Sequence, residues 1–242
     1  MNLIVDIGNS RTKFAIFKKN ELLYDASFEP AEFVTQVKSV FEQYPKISHA
    51  IIAATTQLVH KEFEVLSLFC KTHLLSPISK IPFKNSYATP QTLGADRIAL
   101  ATAAFYYNRG GNTLVIDAGT CITYDLINDF DEYLGGAISP GIQLRYTAMH
   151  KETANLPLLQ KEIPSHFIGN STANAMHSGV VNGVTHEIEG MILQYAKRFK
   201  DLTIILTGGD THFLSKRLKN TIFADSKFVL KGLNYLLEYN KY

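Results

Sequence analysis

The chain begins with two short apolar runs, at residues 3–5 and 14–17, that flank a polar segment containing Gly and Asn. This pattern predicts two strands joined by a tight turn, because strands are short apolar runs and Gly and Asn favour turns. The polar segment also carries a carboxylate, hydroxyls and cations, which together could form a phosphate site with a metal. One copy of the pattern does not decide between a plain turn and a phosphate site.

The segment TLVIDAGTCITYDLI at residues 113–127 repeats this opening pattern. Asp117 and Gly119 follow their apolar run just as Asp6 and Gly8 follow the first one. Both segments therefore predict a strand, an Asp-x-Gly turn and a second strand. A single repeat of such long period indicates two similar halves rather than a solenoid.

The rest of the chain alternates between strand and helix patterns, which predicts an α/β fold. Helical spacing marks residues 30–44 and 59–72, and the Ala-rich segment at 91–107 predicts a buried helix. The loop NRGGN is the natural boundary between an N-terminal half, residues 1–111, and a C-terminal half, residues 112–242.

The C-terminal half contains a long helical segment for which Asn170 or Ser171 is the predicted cap. A strand, LTIILT, then leads into Gly208 and Gly209, and a helix is expected from about Thr211. The segment GLNYLLEY predicts a closing helix, which we assign to this half.

Composition narrows the functional class. The 242 residues are 46% hydrophobic, which is ample for buried cores, and the net charge is only +2. We therefore expect no broad surface for nucleic acid or an anionic membrane. The two cysteines, Cys70 and Cys121, are interpreted as buried thiols in a reduced compartment. With no basic leader and no apolar stretch near the roughly 20 residues that span a bilayer, we predict a soluble, cytoplasmic protein.

Neither common phosphate signature, GxxxxGK[ST] or GxGxxG, occurs in the chain. The two Asp-x-Gly turns and the later Gly pair form another possible design, in which turn amides grip phosphate oxygens. Asp6 and Asp117 would then face a metal or water, and the Gly pair would let the backbone approach a nucleoside. The alternative is that these are three ordinary turns of an α/β protein.

A second candidate site is the segment GADR at residues 94–97, at the predicted start of the buried helix. Free amides at a helix N-terminus favour an anion, and Arg97 adds a cation that could bind a carboxylate or fix Asp96. The alternative for Asp96 is charge complementarity with the helix terminus and an ion pair with Arg97.

Six motifs in this order resemble those of type III pantothenate kinases: DIGNSRTK, GADR, IDAGT, GGAISPGIQLRYTAMHKETANLP, STANAMHSG and LTGGD. That family belongs to the superfamily of acetate and sugar kinases, heat-shock chaperones and actin. The resemblance implies two duplicated ribonuclease H-like, actin-like halves with mixed sheets flanked by helices. It also implies ATP-dependent phosphorylation of pantothenate, the first step of coenzyme A biosynthesis, by a homodimer that uses Mg²⁺ and a monovalent cation, K⁺ or NH₄⁺.

The resemblance also implies roles for individual residues. Asp96 would be the general base, Asp6 would hold Mg²⁺ directly or through water, and Asp117 would ligate the monovalent cation. The implied ATP-binding residues are Asp6, Ile7, Gly8, Asn9, Ser10, Arg11, Thr12, Lys13, Thr120, Gly208 and Gly209. The implied pantothenate-binding residues are Tyr87, Gly94, Ala95, Asp96, Arg97 and Thr172. For Tyr87 a packing role, and for Thr172 a position in the first turn of a helix, remain alternatives.

Two rival functions remain open. A transcription-accessory protein resembles this kinase family, but a pure binding module needs neither the base Asp96 nor the metal carboxylate Asp6. A superfamily kinase acting on another small hydroxylated substrate is the second rival. The GADR segment and the block at residues 135–157 argue against it, because they are more specific than the Gly turns.

Overall fold

The structure is a computed structural model, and it describes residues 1–8, 11–54 and 60–241. The chain divides into two compact units. The first unit combines Met1–Tyr107 with Phe228–Tyr242, and the second is Asn108–Lys227. Elements are numbered along the chain. Among the described residues, no helix is both long enough and apolar enough to cross a membrane.

The first unit contains a five-stranded sheet in the order β3-β2-β1-β4-β5. Strands β1, β2 and β3 are antiparallel neighbours, whereas β4 and β5 continue the sheet in parallel with β1. The strands of this sheet are β1 (Asn2–Ile7), β2 (Thr12–Lys18), β3 (Glu21–Phe28), β4 (His49–Ala54) and β5 (Lys71–Leu74). A further short strand, β6 (Lys84–Asn85), is not part of this sheet. The predicted opening hairpin, β1 with β2, is confirmed.

The helices of the first unit are α1 (Phe33–Gln43), α2 (His60–Ser67), α3 (Ala95–Tyr107) and α8 (Phe228–Asn240). The helix predicted over residues 59–72 was wrong at its end, because α2 stops at Ser67. The segment after it extends as β5 and pairs with β4. Backbone hydrogen bonds to a neighbouring strand thus overrode a local helical pattern, as tertiary context often does.

The second unit repeats this topology. Its strands lie in the order β11-β10-β7-β8-β9, with an antiparallel hairpin, β7 with β8, and parallel neighbours β10 and β11. They are β7 (Thr113–Ala118), β8 (Cys121–Ile127), β9 (Glu132–Pro140), β10 (Thr203–Thr207) and β11 (Phe223–Ala224). Read from β9 inward, the connectivity equals that of the first unit, so the α/β fold of two duplicated halves with mixed sheets is confirmed.

The helices of the second unit are α4 (Ile142–Glu152), α5 (Thr172–His177), α6 (Gly183–Ala196) and α7 (Thr211–Ser215). The long helical segment predicted from about residue 170 is interrupted by a π-helical turn at Ser178–Asn182. Of the two predicted caps, Ser171 is the cap, since its Oγ accepts a hydrogen bond from the Asn174 amide at 3.2 Å.

The closing helix α8 belongs to the first unit, whereas the sequence analysis placed it in the C-terminal half. The reason is close packing on α3: a Cβ on Gly232 would lie 1.9 Å from the Ala99 carbonyl oxygen. Asn234 on the same helix accepts a hydrogen bond from Asn2 at 2.7 Å and donates one to the Lys19 carbonyl. A helix from the end of the chain thereby fastens the strand that begins it.

The cysteine interpretation was wrong in its burial. Cys70 is only half-buried, and Cys121 is exposed. Cys121 is the first residue of β8 and follows directly on the second Asp-x-Gly turn, where the side chain meets solvent.

Gly232→Ala tests the close contact between α3 and α8. The added methyl has no room beside the Ala99 carbonyl, so the two helices must separate. Overpacking of this kind costs about 1–3 kcal/mol, which we expect to see as a lower midpoint of urea unfolding.

Gly190→Ala is the matched control, because Gly190 is an exposed position of α6 where a Cβ would meet no described atom within 4 Å. It should stabilise the protein by up to about 1 kcal/mol through helix propensity. Equal effects of the two substitutions would contradict the packing argument.

Candidate functional site

The first Asp-x-Gly turn places a shielded carboxylate at the end of β1. Asp6 pairs in register with Lys13 on β2, and Lys13 Nζ lies 3.2 Å from Asp6 Oδ2. Only 13% of the Asp6 side chain is exposed, and this burial raises its pKa above the ordinary 3.8. The charge of Lys13 opposes the increase, and the negative charge of Asp96 adds to it. Asp96 therefore lies near enough to Asp6 for their carboxylates to interact.

The other residues of the first turn have mixed placements. The Gly8 amide donates to the Arg11 carbonyl at 3.1 Å and closes the turn. The Arg11 side chain donates to the Ser27 carbonyl and hydroxyl at 2.6 and 2.8 Å, so its guanidinium is directed to β3. Ile7 and Thr12 are buried strand residues. Two predicted ATP-binding residues lie outside the described part of the chain: Asn9 and Ser10.

The GADR segment forms the beginning of α3, as the sequence predicted. Ala95 is the first helical residue, and the half-buried Asp96 accepts a hydrogen bond from the Arg97 amide at 2.8 Å. A Cβ on Gly94 would lie 2.4 Å from Asp96 Oδ1. The glycine therefore leaves the space that the carboxylate occupies, and the first turn of the helix holds that carboxylate in place.

Tyr87 and Arg97, predicted from different segments, lie together. The Arg97 guanidinium carbon is 5.5 Å from the centroid of the Tyr87 ring, which is a cation–π distance. Arg97 is only 5% exposed. The aromatic ring thus shields a buried cation one residue after Asp96.

A cavity of about 460 Å³ opens at the same end of α3. Gly94 and Ala95 line it, together with Leu75, Ser76 and Pro77, which follow β5. Ligands of parallel α/β sheets bind at the carboxyl ends of the strands, and this volume is in the range of small-molecule sites. The first unit therefore joins a cavity of substrate size to the GADR segment.

The second Asp-x-Gly turn lies at the corresponding place in the second unit. Asp117, near the end of β7, pairs in register with Thr123 on β8 and Thr207 on β10. The Gly119 amide donates to the Cys121 carbonyl at 2.9 Å, and Thr120 is exposed at the tip. The hairpin thus presents a hydroxyl next to backbone groups.

The late Gly pair rests directly on the end of β7. Gly208 has φ +95°, and a Cβ there would lie 2.3 Å from Asp117 Oδ1 and 2.4 Å from the Ala118 carbonyl oxygen. The Asp210 amide donates to the same Ala118 carbonyl at 2.9 Å. Only glycine allows this conformation and this approach. The predicted nucleoside turn and the predicted cation ligand Asp117 are therefore neighbours, with two oxygens converging beside Gly208.

The block GGAISPG contacts the second Asp-x-Gly turn, which the sequence did not predict. The Gly141 amide donates to the Thr120 carbonyl at 3.0 Å, and a Cβ on Gly141 would lie 2.2 Å from the Gly119 carbonyl oxygen. The Pro-Gly pair was the available signal, since it marks a turn where the backbone can approach another chain segment closely.

A second missed contact lies beside the Gly pair. Lys161 Nζ forms an ion pair with the Asp210 carboxylate and lies 5.6 Å from the Phe213 ring centroid. The two charged residues are 49 positions apart, and no local pattern connects them. Only the fold could have revealed this pair.

Thr172 lies elsewhere in the second unit. It is the exposed first residue of α5 and lines a cavity of about 590 Å³ with Arg145, Met149 and Met176. Among the described residues, no group of three or more His, Cys, Asp or Glu side chains could hold a metal ion.

Solved structures of low sequence identity share the fold. A Baf family transcriptional activator from Campylobacter jejuni superposes with a TM-score of 0.63 at 22% identity, and the match covers 99% of this chain and 98% of that one. A glucokinase from an Antarctic psychrotroph gives a TM-score of 0.54 at 14% identity, over 98% of both chains. At these identities the similarity shows the fold alone.

Sequence comparison is far more specific. The sequence model of the type III pantothenate kinase family matches residues 2–194. A type III pantothenate kinase of Flavobacterium johnsoniae is 47% identical over 239 residues, which cover 99% of this chain and 98% of the relative. One from Cytophaga hutchinsonii is 35% identical, over 99% of this chain and the whole relative. The chain belongs to the type III pantothenate kinase family.

Proposed function

We propose that this protein transfers the γ-phosphoryl group of ATP to pantothenate, giving 4′-phosphopantothenate in the first step of coenzyme A biosynthesis. Full-length relatives at 35–47% identity carry this activity in their names. The observation in the structure that supports it best is that the first Asp-x-Gly turn and the GADR helix start belong to one unit, in which the charge of Asp96 helps to raise the pKa of Asp6. The first Asp-x-Gly turn is suited to phosphates, and the GADR helix start is suited to a hydroxylated anion such as pantothenate.

The transcription-accessory alternative rests on the fold of the Campylobacter jejuni protein, at 22% identity. A pure binding protein would have no use for a carboxylate whose burial is unfavourable. Asp6 and Asp96 are both present, and the charge of Asp96 acts on Asp6, which favours the enzyme. The relatives and the GADR segment favour pantothenate over another hydroxylated substrate.

Asp6 is the residue that would hold Mg²⁺. Mg²⁺ is usually bound by one or two carboxylates, water and substrate phosphates, so a single shielded carboxylate fits such a site. Its raised pKa shows that negative charge is poorly solvated here, and a bound cation would relieve this cost. Mg²⁺ would neutralise charge on the phosphates.

Asp96 acts as the general base. It takes the proton of the pantothenate primary hydroxyl while that oxygen attacks the γ-phosphorus. The hydrogen bond from the Arg97 amide to Oδ1 sets the direction of the carboxylate, and we assign Oδ2 as the proton acceptor. This arrangement supplies the orientation on which phosphoryl transfer mainly depends.

Arg97 and Tyr87 bind pantothenate. A guanidinium is a bidentate partner for the substrate carboxylate, and its burial under the Tyr87 ring strengthens the attraction. The cavity beside Gly94 and Ala95 would receive the remainder of the substrate.

The second unit would serve the nucleotide through Thr120, Gly208 and Gly209. Asp117 would ligate the monovalent cation, K⁺ or NH₄⁺. Asp117 Oδ1 and the Ala118 carbonyl oxygen both lie next to Gly208, and oxygen atoms are the ligands that hard cations prefer. We further propose a homodimer in which Thr172 and its cavity contribute to pantothenate binding.

The activity and its cation requirement can be tested together. Purified protein with ATP, Mg²⁺ and pantothenate should release ADP in a coupled assay, with K⁺ or NH₄⁺ well above Na⁺. Asp117→Asn should weaken the activation by K⁺ by about tenfold or more, because a charged ligand is lost. The absence of turnover with all three cations would contradict the proposed activity, and unchanged K⁺ dependence in the variant would contradict the role of Asp117.

Asp96→Asn should lower kcat by about 10²-fold or more, because the amide cannot accept the proton. The affinity for ATP, measured by calorimetry, should stay near that of the wild type. Asp201→Asn is the matched control, since that side chain is 87% exposed and its ion pair with Lys200 is loose, at 4.0 Å. Normal turnover by the Asp96 variant would remove the residue from its role as base.

Asp6→Asn should abolish phosphorylation yet stabilise the nucleotide-free fold at pH 7. Burial raises the pKa of Asp6, so the folded state holds this proton more tightly than the unfolded state does. The resulting contribution of Asp6 to the free energy of unfolding is complete below about pH 4 and is lost as the pH rises through the folded-state pKa. The gain from the neutral amide should therefore be present at pH 7 and vanish in acid, as measured by urea unfolding. Lys13→Met should have the opposite effect at pH 7, because it removes the opposing charge.

A further inference from the structure

The side chain of Arg145, on α4, connects three elements of the second unit. Its Nε donates to the Pro140 carbonyl at 2.9 Å, and Nη2 donates to Ser139 Oγ at 3.0 Å. Nη2 also lies 2.5 Å from Glu187 Oε2 on α6. The guanidinium thus holds the last two residues of β9 against a helix that is distant in sequence.

This arrangement is partly shielded from solvent. The Arg145 and Glu187 side chains are 23% and 28% exposed, and the Tyr124 hydroxyl donates to the other oxygen of Glu187 at 3.4 Å. Burial and the neighbouring Glu187 raise the pKa of Tyr124, so its hydroxyl remains a donor over the physiological range. Charge-assisted bonds of a planar guanidinium fix geometry better than exposed ion pairs do.

The end of β9 is in turn the support of the second Asp-x-Gly turn. Pro140 pairs in register with Cys121, the residue after Thr120. The Gly141 amide donates to the Thr120 carbonyl, and no space remains between Gly141 and the Gly119 carbonyl. A shift of Ser139 or Pro140 must therefore move the turn, because close-packed backbone cannot absorb it.

We propose that Arg145 is a positioning residue for ATP, which acts by holding the Gly119–Thr120 turn through β9. This inference rests on the proposed role of Thr120 at the ATP phosphates. Arg145 never touches the nucleotide. Its effect on turnover comes from the placement of backbone groups that do.

Arg145→Gln tests this assignment. The amide keeps polarity but loses the fork and the charge, so we expect the KM for ATP to rise by about tenfold, because small misplacements of binding groups are costly. The KM for pantothenate should change by less than about twofold. The KM for ATP of Arg145→Lys should lie between those of the wild type and Arg145→Gln. Lysine keeps the charge, but an ammonium cannot hold three acceptors in one plane.

Arg109→Gln is the matched control, because Arg109 is 75% exposed and forms a looser ion pair with Asp131 at 3.7 Å. It should leave both KM values unchanged. Glu187→Gln should shift the KM for ATP in the same direction as Arg145→Gln, and the double variant should be no worse than either, since the residues act as a pair.

Hydrogen exchange provides a readout that needs no activity. In Arg145→Gln, amide exchange at residues 119–121 should accelerate at least tenfold relative to Arg109→Gln. Thr120→Ala distinguishes the proposed role of Thr120 at ATP from the positioning role of Arg145. If Thr120→Ala leaves the KM for ATP unchanged while Arg145→Gln accelerates exchange, the role of Thr120 fails and the positioning role stands.

Two outcomes would overturn the inference. One is normal exchange at the turn with a normal KM for ATP in Arg145→Gln. The other is a rise in the KM for pantothenate alone, which would make Arg145 a substrate contact in the cavity that it shares with Thr172.

Discussion

The structure depends on one constraint that is applied twice: a carboxylate must sit at the end of a strand with antiparallel backbone on one side and parallel backbone on the other. Asp6 on β1 and Asp117 on β7 both occupy this position. The antiparallel partner closes a tight turn directly after the carboxylate. In the second unit the parallel partner, β10, ends at the same edge, so the segment that follows it can approach. In the second unit this approach leaves no room for a side chain at Gly208.

The burial of Asp6 trades stability for chemistry. Asp6 is largely shielded, and its raised pKa means that the folded chain opposes its ionisation. Lys13 offsets only part of this cost, since burial remains the larger influence. A protein selected for stability alone would place an amide or an apolar residue there. A kinase in which this carboxylate has the proposed role at the metal has a reason to keep the charge.

Residues distant in sequence support both hairpins. In the first unit, α8 fastens β1 from the far end of the chain through Asn234 and Asn2. In the second unit, the Gly141 amide donates to the turn at Thr120. Arg145 and Glu187 hold the end of β9, the strand that leads into Gly141. The groups with proposed roles in catalysis therefore lie at or beside short turns, while their placement depends on packed elements behind them.

The sequence by itself determined the two hairpins, the Asp-x-Gly turns, the helix start at GADR and the family, because each is a local pattern of backbone and side-chain preference. It could not determine that α2 ends at Ser67, that α8 joins the first unit, or that Cys121 is exposed. Nor could it pair Arg145 with Glu187 or Lys161 with Asp210. Those outcomes were decided only by tertiary structure, because strand pairing, helix packing and buried ion pairs depend on which distant surfaces meet.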